Sequence, residues 1–103
     1  MREERAYFIY ILASHKNGTL YIGVTSDLVG RVYDHKNKVH PTSFTAKYNV
    51  QRLVYYEQFE DINAAIDREK FVKKQKRAYK IRCIEKENPH WEDLYPKISE
   101  FLF

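Results

Sequence analysis

The first apolar run, Tyr7 to Ala13 (Tyr-Phe-Ile-Tyr-Ile-Leu-Ala), is rich in aromatic and β-branched residues and predicts a strand. Asn17-Gly18 follows, a strong hairpin signal, and Thr19 to Val24 predicts the returning antiparallel strand. Thr25-Ser26-Asp27 supplies helix N-cap side chains, and Leu28 to Lys36 predicts a helix stopping near Asn37. Gly30 inside that helix costs about 1 kcal/mol against alanine. Lys38 to Asn49 has no period; His40-Pro41-Thr42-Ser43 marks a loop, long for so small a chain, before a single turn at Phe44 to Tyr48. In Gln51 to Phe59, Leu53, Tyr55, Glu57 and Phe59 alternate with Val54 and Tyr56, with apolar character on both sides that suits a central strand. Asp61-Ile62-Asn63 caps a second helix reaching about Lys74, Ala78 to Lys86 predicts a third, and Asn88-Pro89 ends it. Beyond the break, Trp91, Leu94 and Tyr95 are expected to pack back onto the body, and Ile98 to Phe103 to form a short closing helix. The order β-β-α-β-α-α predicts an α+β fold: a three-stranded, largely antiparallel sheet flanked by helices.

Five polar side chains stand where this pattern calls for apolar ones. Leu28, Arg31, Val32, His35 and Val39 share one helical face, so Arg31 and His35 lie in the inward stripe. Ile62, Ala65, Ile66, Glu69 and Val72 repeat the arrangement on the next helix, with Glu69 at its centre. Burying that carboxylate alone costs several kcal/mol, so a salt bridge or a metal ion is expected beside it. On the hairpin, Tyr10 and Tyr21 fall on the same face by strand parity. A two-residue Asn17-Gly18 turn would hold them roughly 13 Å apart at the usual rise per residue, whereas a longer loop with Tyr10 directly opposite Tyr21 brings them together and is preferred. Singly, the tyrosines read as core aromatics, His35 as a helix cap and Arg31 as a partner for Glu69; an ion pair explains two of the five and none of the spacing.

At 103 residues, with 44% hydrophobic positions, nine Tyr and six Phe, the chain suits one domain over 1–103, with a core of about 7–95 and a tail of 96–103. No apolar run is long enough to span a membrane and the first residues do not resemble a signal peptide, so a cytoplasmic protein is expected. Cys83 is the only cysteine, which excludes an intramolecular disulfide and a thiolate metal cluster and predicts a half-buried structural thiol. The net charge of +4 is uneven: Lys70 to Arg82 carries seven cations and no carboxylate, leaving the rest net negative. A basic block on an acidic body is either a solvated helix face or a surface for a polyanion, and Lys47, Lys70, Lys73, Lys74, Lys76 and Arg77 are the candidate nucleic-acid contacts.

The ordered set is more specific than any member. Phe8-Ile9-Tyr10, Tyr21-Ile22-Gly23 with Tyr21 eleven residues after Tyr10, Arg31 ten after Tyr21, His35 four later, and Glu69 in Asp67-Arg68-Glu69-Lys70 together resemble the GIY-YIG nuclease domain over residues 7 to about 95. The small single-domain bacterial branch of that family is also similar in Asp27-Leu28, Phe44-Thr45, Leu53-Val54-Tyr55-Tyr56, and Asn88-Pro89 followed by Trp91 and Asp93-Leu94. Phe8 stands where the family name has glycine, Val24 where excision-repair members carry lysine, Lys74-Gln75 where many small members have Gly-Trp, and Asn88 is the one candidate for the asparagine some members place near the metal.

The resemblance implies one-metal hydrolysis of a phosphodiester in DNA, with RNA second, and structured or damaged DNA rather than a long specific site. Glu69 would bind one Mg²⁺ or Mn²⁺, Arg31 would clamp the scissile phosphate, and Tyr21 would activate or position water with Tyr10 and His35 assisting. Turning a free phenol, pKa near 10, into phenolate at pH 7 costs about 4 kcal/mol, so His35 remains a rival base. A nucleic-acid-binding module of the same fold that cleaves slowly or not at all is the alternative, and a protein-interaction domain a third.

Overall fold

The computed structural model describes residues 6–101. Three strands, β1 (Tyr7–Ala13), β2 (Leu20–Thr25) and β3 (Arg52–Phe59), and five helices, α1 (Leu28–Lys36), α2 (Phe44–Lys47), α3 (Ile62–Lys74), α4 (Arg77–Glu87) and α5 (Tyr95–Phe101), make an α+β fold. The sheet order is β2-β1-β3, antiparallel throughout. β1 is therefore the central strand, with six of its seven residues buried. The expectation of a central strand at Gln51 to Phe59 is corrected: β3 is an edge whose second neighbour is the C-terminal segment.

That segment is clipped to β3 at a bulge, where Ile11 pairs with Tyr55 but Leu12 with Leu53, leaving Val54 as the extra residue. Leu94 N donates to Leu53 O at 2.7 Å, and Leu53 N donates to the Asp93 carboxylate at 3.2 Å. The Asn88 amide donates to Val54 O and Glu92 O at 3.1 and 2.9 Å, while its oxygen accepts from Glu92 N at 3.0 Å. Strand-edge groups that would otherwise invite another chain are thus satisfied internally. Asp93 also pairs with Lys36 at the end of α1 and accepts from Tyr95 N at the start of α5. The closing helix begins at Tyr95, three residues before the predicted start; residues 102 and 103 lie outside the described residues.

The hairpin register falls between the two expected ones. Ser14 and Thr19 close a four-residue loop in which Asn17 alone takes a left-handed conformation, φ 62°. Tyr10 consequently sits opposite Gly23, and Tyr21 opposite Leu12. The tyrosines are diagonal neighbours on one face, within reach of aromatic rings.

Alternation gives the sheet two covered faces. On the first, Phe8, Tyr10 and Leu12 pack with Leu28, Val29 and Val32 of α1 and Ile98 of α5. On the second, Ile9, Ile11 and Ile22 pack with Ala65 and Val72 of α3, Ile84 of α4 and Trp91. The helical stripes are narrower than predicted. Arg31 is exposed and His35 half-buried at the margin of the α1 stripe, and Val39 lies beyond it, because Asn37 ends the helix and Lys38 turns left-handed. Ile62, in the first turn of α3, is likewise exposed. Gly30 has a local cause: the Asp27 carboxylate caps α1 by accepting from Gly30 N at 3.0 Å, and a Cβ at position 30 would come within 2.2 Å of it.

Candidate active site

Tyr10 rises from the central strand and lies across Gly23, where a Cβ would sit only 2.5 Å from its hydroxyl and 2.6 Å from its ring. The glycine of Tyr21-Ile22-Gly23 is therefore the floor under the Tyr10 ring. With Gly23 giving way, Tyr10, Tyr21 and His35 gather with ring centroids 6.2, 6.0 and 5.5 Å apart, taken as Tyr10 to Tyr21, Tyr10 to His35 and Tyr21 to His35.

A chain of hydroxyls threads the histidine. Tyr10 Oη lies 3.2 Å from His35 Nε2, His35 Nδ1 lies 2.8 Å from Thr45 Oγ1, and Thr45 Oγ1 lies 3.3 Å from Ser43 Oγ. A neutral imidazole donates through one nitrogen and accepts through the other, so of Tyr10 and Thr45 one hydroxyl gives a proton to the ring and the other takes one. Tyr10 is fully buried and Thr45 nearly so, which makes each of these bonds costly to lose.

Charge follows from the same burial. Desolvation pushes the Tyr10 phenol well above its ordinary pKa, the Tyr21 neighbour adds to this, and Arg31 opposes it. Desolvation, and then the Arg31 charge, hold His35 below the ordinary histidine value, with Asp34 opposing. At neutral pH Tyr10 is protonated and His35 uncharged. Arg31, one turn before His35 on α1, makes no ion pair among the described residues. Its guanidinium borders a cavity of about 410 Å³ walled also by Tyr21, Asp34, His35, Lys38, His40, Ser43 and Thr45.

Four of the five expected site residues, Tyr10, Tyr21, Arg31 and His35, are thus brought together. Glu69 is not among the residues lining this cavity: it lies on α3 between Ala65 and Val72, which pack on the second face of the sheet. Its side chain is 13% exposed and pairs with Lys73 at 3.0 Å, one turn along the helix. Among the expected nucleic-acid contacts, Lys47, Lys70, Lys73, Lys74, Lys76 and Arg77 are all exposed, but two have work inside the fold. Lys73 holds Glu69, and Arg77 donates to Asn17 O and Gly18 O at 2.8 and 2.6 Å, fastening the hairpin loop to α4. Asn88, whose amide is fully engaged in the β3 clip, is corrected from a candidate near the metal to a structural residue. Thr45, Ser43, Lys38 and His40 are site residues that sequence reasoning missed. Their signal was the length of the aperiodic loop, since loops on a rigid scaffold carry function.

Two tyrosines on neighbouring strands packed around a histidine, with an arginine one helical turn before it, form the constellation that the motif spacing predicts. The family model described as the GIY-YIG catalytic domain matches residues 6–87. This chain belongs to the GIY-YIG family. A UPF0213 protein of Clostridium perfringens is 32% identical over 92 residues, spanning 89% of this chain and 97% of its own. A UPF0213 protein of Syntrophus aciditrophicus is 30% identical over 82 residues, spanning 80% of this chain and 92% of its own. The solution NMR structure of a UPF0213 protein from Bacillus halodurans shares the fold at a TM-score of 0.53 and 26% identity, covering 85% of this chain and 92% of that one. As a GIY-YIG domain the molecule is of nuclease type. No described helix is long and apolar enough to cross a membrane.

Proposed function

We propose that this GIY-YIG protein is a metal-dependent endonuclease that hydrolyses phosphodiester bonds, in DNA before RNA, and acts on structured or damaged DNA in repair. The observation that carries the reading is the hydroxyl–imidazole chain of Tyr10, His35 and Thr45 at the wall of an open cavity that also presents Tyr21 and Arg31.

Arg31 binds the scissile phosphate through its planar fork. Tyr21, half-buried with its ring against His35, orients the attacking water. Tyr10 cannot be the base, because burial keeps its phenol protonated; its part is to hold His35 in place. The water oxygen bonds to phosphorus as the P–O bond to the leaving oxygen breaks; the water gives its proton to solvent beside the Tyr21 hydroxyl, the leaving oxygen takes one from solvent, and His35, uncharged at neutral pH, holds Tyr10 and Thr45 in place around the site. Both ring nitrogens already have hydroxyl partners, which favours Tyr21, rather than His35, as the group that meets the water.

A metal here would rest on the Glu69 carboxylate and keep most of its water shell. Among the described residues no group of three or more His, Cys, Asp or Glu could hold an ion, so Glu69 would contribute a single carboxylate, a mode Mg²⁺ and Mn²⁺ accept. When bound, that ion supplies charge neutralisation at a non-bridging phosphate oxygen.

Glu69's pairing with Lys73, and its place off the cavity, favour the second reading, a nucleic-acid-binding module that cleaves slowly or not at all. Supercoiled plasmid, branched DNA and single strands incubated with Mg²⁺, Mn²⁺ or EDTA decide between them. Endonuclease activity predicts metal-dependent cutting that Glu69→Ala and Arg31→Ala each lower by about 10²- to 10³-fold, the usual loss for one transition-state contact. Metal-dependent cutting kept by both variants removes this site from consideration.

A further inference from the structure

Phe44 and Tyr48 keep 48% and 51% of their surface in water, on a short turn that otherwise buries Thr45 and Ala46. They lie one helical turn apart with ring centroids 5.0 Å from each other. The Lys47 amine stands 5.7 Å from the centre of the Tyr48 ring. Ser43 and Thr45, the chain neighbours of Phe44, are walls of the active-site cavity. Two large aromatic faces left in water beside a catalytic cavity are a binding surface in search of an occupant.

The surrounding charge selects that occupant. From His35 to Tyr56 the chain has no Asp or Glu; Lys47 stands over the Tyr48 ring and Lys38 borders the adjoining cavity. Aromatic faces with a lysine amine beside them complement a ligand with flat π-faces and negative charges, which describes an unstacked nucleotide. A base inside a duplex is covered by its neighbours and has no free face to offer.

We propose that Phe44 and Tyr48 form a stacking site for an unpaired nucleobase of the strand whose phosphate enters the cavity, with Lys47 meeting an adjacent phosphate. The site deepens the hydrolysis reading and rests on it for the orientation of the strand. It selects single-stranded, flapped or frayed segments over continuous duplex.

Fluorescence anisotropy in EDTA, with a short labelled oligothymidylate, the same strand carrying abasic residues, an oligouridylate and a duplex, tests it. Stacking on one aromatic predicts that Phe44→Ala and Tyr48→Leu each weaken oligothymidylate binding by about 5- to 150-fold. Tyr48→Phe should retain affinity, and the two weakening variants should lose little on the abasic strand or on duplex. The oligouridylate arm distinguishes RNA from DNA as the source of the base. Both side chains are exposed, and thermal melts check that each variant folds. Equal loss on normal and abasic strands, or no loss on either, overturns the site. Base-dependent binding that persists while Glu69→Ala and Arg31→Ala still cut would sink the hydrolysis reading and leave the stacking site standing; normal metal-dependent cutting without base dependence would do the reverse.

Discussion

His35 is held between two hydroxyls and beside one guanidinium, and its protonation is the first quantity to measure. Burial and then Arg31 depress its folded pKa below the unfolded value of about 6.5. The folded state therefore binds fewer protons than the unfolded one between those two values. The stability that this contributes is complete above about 6.5 and is lost as pH falls through the folded pKa. A histidine titration followed by NMR should place the His35 midpoint below the ordinary value, and Arg31→Met should move it upward without restoring it, since burial remains. A midpoint at or above the ordinary value would contradict the arrangement. Gly23→Ala drives a methyl into the Tyr10 ring and should cost about 1–3 kcal/mol in chemical denaturation, with the Tyr10–His35 contact disturbed. Much at this scale was legible. Strand parity put both tyrosines on one face, and helical spacing put Arg31 and His35 one turn apart. The face of the sheet that α3 covers was not legible, because a period of 3.6 tells which side of a helix faces the sheet but not which side of the sheet the helix covers. Thr45 escaped for another reason: a hydroxyl in an aperiodic loop has no pattern to violate.

Helices and strands were legible where propensity and caps agreed, as in Leu28 to Lys36, whose Asp27 cap and Asn37 stop both occur as expected. The hairpin register was not, because it depends on which loop residue turns left-handed. Asn17 does so and Gly18 does not, which shifts the pairing by two from either simple count. The third strand misled for a similar reason: its two apolar faces are real, but the neighbour that covers its edge comes from residues 88–94 and not from another strand. Asn88 supports that cover, so Asn88→Ala leaves buried backbone groups unpaired at about 1–3 kcal/mol. For a domain of this size each kcal/mol lowers Tm by about 4–8 °C. Calorimetry should show that drop, while metal-dependent cutting per folded molecule stays at the wild-type rate. A loss of cutting in fully folded Asn88→Ala would instead return Asn88 to the active site.

Across the whole molecule the family match ends at residue 87, yet the two cores do not. Trp91 closes the second face and Ile98 the first, both with essentially no exposed surface. Trp91→Ala should cost about 3–5 kcal/mol, read as a lower denaturation midpoint, and a chain ending at Glu87 should lose its cooperative transition. The charges divide between the same faces: the Lys70 to Arg82 block rides on α3 and α4, whereas the cavity opens beside α1 and α2. Nucleic-acid affinity that falls with salt concentration is expected from Lys70 and Lys74, whose removal should flatten the slope. Affinity that ignores salt would argue against this block as a phosphate surface. Asp93 carries a further consequence. It binds Lys36, the residue after His35, while also holding the β3 bulge and the start of α5. One carboxylate near the end of the chain is thereby a tether on the histidine helix, and cutting it with Asp93→Asn should speed hydrogen exchange in the last turn of α1 and broaden the His35 ring signals, so that damage to the C-terminal segment is felt as a loosened active site before it is felt as unfolding.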